Sequence, residues 1–75
     1  MNPDVVVDAS GQSCPMPVIL AAKAIKELAS GQVMLVKATD AGARSDIPSW
    51  VEVTGNELVS SEEQGDVLLF SIRKA

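Results

Sequence analysis

A single cysteine between prolines, in Ser13-Cys14-Pro15-Met16-Pro17, is the part of this sequence best equipped for chemistry. Cysteine acts as a nucleophile in its thiolate form, and Cys14 is the chain's only thiol. An apolar run, Val5-Val6-Val7, precedes it and helical periodicity follows it. The segment from Ser10 through Gly11 to Cys14 therefore reads as a strand-to-helix turn. Proline lacks an N–H, and the first turn of a helix has no intrahelical partner for one, so Pro15 is expected at the first helical position. Cys14 is then the N-cap, in keeping with the extended backbone favoured before proline. Pro15 and Pro17 donate nothing, which leaves the Met16 N–H to face Sγ while the helix dipole adds partial positive charge. Such a setting favours the thiolate. The competing reading is a buried cysteine packed as a small hydrophobe, and exposure of Sγ is what separates the two.

Composition removes several classes of function. The chain has 75 residues, no histidine and one cysteine, so an intrachain disulfide, a zinc or iron–sulfur ligand set and a Cys-His hydrolase are all excluded. No metal and no cofactor is expected. A solitary cysteine suits a reducing compartment. No apolar run reaches the length of a membrane span and no basic segment precedes an apolar one at the N-terminus, so the expected location is cytoplasmic. A net charge of -4 disfavours binding to nucleic acid, which calls for clustered Lys and Arg. It favours a protein partner with a basic patch. The length predicts one domain over residues 1–75, burying about 60% of its unfolded surface.

The elements that must position Cys14 follow from periodicity. Residues 4–8 are a strand candidate. Val18, Ala21, Ala22, Ile25, Leu28 and Ala29 form a helical stripe opposite Lys23, Lys26 and Glu27. This predicts about four turns from Pro15, closed by Gly31 as the left-handed residue beyond the helix. Gln32–Thr39 is a strand rich in Val and Leu, and Asp40-Ala41-Gly42-Ala43 breaks it. A second helix is expected from Ser45 or Asp46, with Pro48 in its first turn, Trp50 as a core anchor and Gly55 at its end. Leu58-Val59 marks a third strand and residues 62–66 a hairpin turn. Val67–Arg73 is a fourth strand with Leu68, Phe70 and Ile72 towards the helices. The order β-α-β-α-β-β, with right-handed crossovers, gives a mixed four-stranded sheet with both helices on one face. Val67 and Leu69 fall on the uncovered face, which leaves both a monomer and a weak dimer open.

Parallel first and second strands bring the Cys14 turn and the Asp40–Asp46 segment to one edge of the sheet, the edge where such sheets carry their sites. Arg44 is placed there to favour the thiolate, while Asp8, Asp40 and Asp46 oppose it. The sequence leaves the sign of that sum open.

The arrangement Asp8-x-x-Gly11-x-x-Cys14-Pro15-x-Pro17, then Gly31, Thr39-Asp40, Asp46-Ile47-Pro48-x-Trp50, Gly55-x-Glu57-Leu58 and Ile72-Arg73-Lys74 resembles the TusA (SirA-like) sulfur-carrier family over nearly the whole chain. Gln12 is a departure, since many members have leucine there. The resemblance implies an α+β two-layer sandwich with strand order 1-2-4-3 and an antiparallel fourth strand. It also implies a persulfide on Cys14, taken from a cysteine desulfurase, a rhodanese or a DsrE-type protein. The sulfur would pass to an acceptor protein in tRNA 2-thiouridine synthesis, molybdenum cofactor metabolism or sulfur oxidation. Pro15, Met16, Pro17, Gly11 and Arg44 are the expected supporting residues. A thiol redox switch and a non-catalytic regulatory or RNA-binding module are the alternatives.

Overall fold

The computed structural model describes residues 2–75. Six elements alternate as expected. They are β1 (Val5–Ala9), α1 (Met16–Ile25), β2 (Val33–Ala38), α2 (Ala43–Thr54), β3 (Glu57–Gln64) and β4 (Val67–Arg73). The strands form one sheet in the order β1-β2-β4-β3. β1 runs parallel to β2, and β4 is antiparallel to both β2 and β3. Alternation along the strands sends Val7, Met34, Val36, Leu68, Phe70 and Ile72 into one layer of contacts with Ala21 and Ile25 of α1 and Ile47 and Val51 of α2. Both helices therefore cover the same face. Trp50 is half-buried against this core, while its neighbours Ile47 and Val51 are the residues of α2 that sink into it.

β1 lies one residue later than the expected 4–8, and β2 is one residue shorter at each end than Gln32–Thr39; the other boundary differences each have a local reason. α1 starts one residue late: Pro15 is the N-cap, Met16 the first helical residue, and Cys14 lies outside the helix. The same helix is shorter than four turns, because beyond Ile25 the chain tightens into i→i+3 bonds from Glu27 N–H to Ala24 and from Leu28 N–H to Ile25. Leu28 is buried all the same. Gly31 does take a left-handed φ of 89°, yet it does not close the helix. Its N–H donates to the Lys74 carbonyl and ties the loop to the end of the chain.

α2 starts earlier than Ser45. Gly42 is its N-cap without any side-chain cap, and the Ala43 N–H is taken by the Asp40 carbonyl. Pro48 therefore sits inside the helix and not in its first turn. Gly55, at φ 77°, ends it in the left-handed conformation. The third strand is longer than Leu58-Val59, since Glu62, Glu63 and Gln64 pair with Leu69, Leu68 and Val67. The turn shrinks to Gly65-Asp66, with Gly65 at a positive φ of 62° as short hairpin turns require. A bulge at Val59 shifts the register between Leu58 and Ser60.

Candidate functional site

The C-terminal ends of β1 and β2 lie side by side, with Ala9 opposite Ala38, so the β1–α1 and β2–α2 loops meet at that edge. Gly11 turns the first loop at φ 79°, a conformation that side chains resist. Its N–H donates to Thr39 Oγ1 at 2.8 Å, which fixes one loop to the other. Pro17 is buried and anchors the start of α1, whereas Cys14, Pro15 and Met16 are exposed. The Cys14–Pro15 peptide bond is cis. Cys14 is a free, exposed cysteine, and Met16 and Ile19 give the adjoining helix an exposed apolar surface.

The electrostatics reverse the sign suggested by the turn alone. The Met16 N–H does not face Sγ, because the Ser13 carbonyl accepts it at 2.9 Å. The thiol instead donates to Asp46 Oδ2 at 2.9 Å, and the Cys14 N–H donates to Asp40 Oδ2 at 3.3 Å. The hydrogen bond to Asp46 pushes the Cys14 thiol above its ordinary pKa. Partial desolvation and the negative charges of Asp46 and Asp40 add to that shift. Asp8 is not among the groups that raise the thiol's pKa; its carboxylate accepts the Ser10 N–H.

Arg44 points elsewhere. Its Nε lies 2.7 Å from Glu63 Oε1 on β3, a pairing invisible while residues 62–66 read as a turn. Both side chains are more than half exposed, at 60% and 53%, and such pairs contribute about 0–1 kcal/mol. Arg44→Ala should accordingly move the urea midpoint only slightly and leave the pH profile of Cys14 alkylation where it was. A profile displaced to higher pH would put the guanidinium back at the sulfur.

Thr39 and Gly42 are the site residues that sequence reasoning did not select, whereas Asp40 and Asp46, which it placed at this edge against the thiolate, are the two that touch Cys14. The signal for Gly42 was present in the break after β2. A Cβ on Gly42 would stand 2.8 Å from Asp40 Oδ2, so the close approach of that carboxylate depends on glycine.

The site is thus an exposed lone thiol on a loop between a strand and a helix, held by carboxylates of the neighbouring crossover loop and α2. The family model described as Sulfurtransferase TusA matches residues 5–74. The chain belongs to the TusA family. It is 45% identical over 74 residues to YrkI of Bacillus subtilis, covering 99% of both chains. To the sulfur carrier protein TusA of Allochromatium vinosum it is 43% identical over 72 residues, 96% of this chain and 95% of that one. The fold is likewise that of the family. A crystal structure of a SirA-like protein from Desulfitobacterium hafniense superposes with a TM-score of 0.82 at 32% identity, covering 92% of this chain and 95% of the other. In this TusA-family chain Asp46 and Asp40 set the electrostatics at Cys14.

Proposed function

We propose that this protein is a sulfur carrier that holds sulfane sulfur as a persulfide on Cys14 and relays it between proteins. The observation that carries the reading is an exposed Sγ on the only thiol of a TusA-family chain. In the loading step the Cys14 Sγ attacks the outer sulfur of a donor persulfide. A new Sγ–S bond forms, the donor's S–S bond breaks, and the proton lost from Sγ ends on the donor's released thiolate. One sulfur atom has moved and no outside oxidant or reductant is used. Unloading repeats the exchange with an acceptor thiol. Neither step calls for histidine. The absence of a second cysteine serves the cargo, because a resolving thiol in the same chain would form a disulfide and expel the sulfur.

The donor is a cysteine desulfurase, a rhodanese or a DsrE-type protein, and the acceptor belongs to tRNA thiolation, molybdenum cofactor metabolism or sulfur oxidation. The carrier works in the cytoplasm as a single domain over residues 1–75, as a monomer or weak dimer. No helix of the described residues is long and apolar enough to cross a membrane. Incubation with a rhodanese and thiosulfate, or with a desulfurase and cysteine, followed by labelling of persulfides, tests the reading. Label on the wild-type chain that a thiol reductant removes is expected. No label from any of the three donor classes would sink it, as would rapid oxidation by peroxide with no acceptance of sulfur.

Docking should be steered by charge. With a net charge of -4 the carrier attracts a basic donor surface, and exposed charges are screened beyond about 8 Å at physiological ionic strength. Stopped-flow association with the donor should therefore slow as salt rises. A rate independent of salt would remove steering from the account.

A further inference from the structure

The proton of the Cys14 thiol is aimed at a carboxylate supplied by another element. Asp46, on the first turn of α2, accepts it over 2.9 Å, while Asp40 of the β2–α2 loop holds the Cys14 backbone N–H at 3.3 Å. Gly42 leaves the room for this convergence: a Cβ there would lie 2.8 Å from Asp40 Oδ2 and 3.7 Å from both Asp46 Oδ2 and Cys14 Cβ. The one basic side chain in this stretch, Arg44, is committed to Glu63. A nucleophile is thus seated among acids, where a thiolate is disfavoured, although its task requires one.

We propose that Asp46 is a positioning residue that restrains the nucleophile: its carboxylate keeps the proton on Sγ in the free carrier, and a cationic side chain of a docked sulfur donor releases the sulfur by pairing with Asp46. A carboxylate in contact welcomes a hydrogen-bond donor and repels a second negative charge. The raised pKa of Cys14 agrees, with the Asp46 hydrogen bond its largest cause. An arriving Lys or Arg of the donor occupies the acceptor oxygen and brings positive charge beside Sγ, so ionisation occurs where the donor's outer sulfur waits. Peroxide and stray disulfides also consume thiolate but bring no cation, and they meet the restrained form. Selectivity for the protein donor then arises from the free carrier's reluctance to ionise. The charges bearing on Sγ are Asp46 from α2 and Asp40 from the β2–α2 loop; Asp8 of β1 is bound to the Ser10 N–H.

The donor half of this inference rests on the carrier reading, and the restraint itself is tested without any donor. Alkylation of Cys14 by iodoacetamide is followed from about pH 6 to about pH 10 in the wild-type chain, in Asp46→Asn and in Asp40→Asn, with circular dichroism as the check on folding. Asparagine keeps an acceptor oxygen and removes the charge. The Asp46→Asn profile should move to lower pH, with alkylation at about pH 7 faster by about tenfold, the effect of one unit charge at contact range in water. Asp40→Asn should move it the same way by less. A folded Asp46→Asn with an unmoved profile, or one moved to higher pH, overturns the restraint. Asp46→Ser carries the same expectation should the asparagine variant not fold. With a persulfidated rhodanese as donor, Asp46→Asn should accelerate sulfur transfer by a smaller factor than alkylation, and equal factors overturn the role given to docking. Should the wild-type chain accept no sulfur, the carrier reading and the donor half fall together, and the alkylation profiles alone decide the restraint.

Discussion

Phe70→Ala should leave the chain largely unfolded at room temperature. Phe70 is the chain's only phenylalanine and heads its fully buried side chains by volume, with 1% exposure. It stands on β4, paired with Val36 of β2 on one side and Ser61 of β3 on the other. Truncating such a residue costs about 3–5 kcal/mol through lost burial and the cavity left behind. A single core in a chain this small supplies about 3–5 kcal/mol in all, so the deletion is of the same size as the whole. Circular dichroism at 25 °C and a urea titration measure it. A cooperative transition within about 1 kcal/mol of wild type would mean that the layer between sheet and helices repacks, and that β4 is not the centre of the core.

Cys14→Ser should abolish sulfur relay while leaving the fold intact. The residue is exposed and lies outside α1, and Pro15 fills the cap position, so its replacement touches neither the core nor the helix start. A serine hydroxyl can still donate to Asp46, and exposed substitutions of this kind stay within about 0.5 kcal/mol. The hard oxygen nucleophile does not take sulfane sulfur as thiolate does. In a reconstituted chain of donor, carrier and acceptor, product formation should fall to the level seen without carrier. Relay at the wild-type rate would show that sulfur bypasses Cys14.

The two predictions draw on parts of the molecule that were legible in the sequence to different degrees. The core was readable because its signals are periodic: Leu68, Phe70 and Ile72 alternate, and Ala21, Ile25 and Leu28 recur at helical spacing. The start of α2 was not, because Gly42 caps it without a side chain, and the search for a capping oxygen led to Ser45 and Asp46 instead. β3 was half-hidden for a different reason. It is an edge strand whose residues beyond Val59 are all exposed and polar, Glu62 and Glu63 among them charged, which guards the edge against unwanted pairing and erases the alternation that marks a strand.

At the site, topology was enough to gather Cys14, Asp40, Arg44 and Asp46 at one edge. It was not enough to say which of them touch. The sign of the field at Sγ turned on two side-chain directions, Arg44 towards Glu63 and Asp46 towards the thiol, and on an N–H of Met16 that the backbone had already used. Electrostatic interactions at contact depend on ångströms, and residue order does not carry that information.

The most direct test of the carrier account is the mass of the Cys14 peptide. The wild-type protein is incubated with a rhodanese and thiosulfate, digested without reductant and compared with a reduced sample. The account predicts one additional sulfur atom on the peptide containing Cys14, lost on reduction and absent from Cys14→Ser. A peptide that stays at its unmodified mass with every donor class, or an additional sulfur that persists in Cys14→Ser, would contradict it.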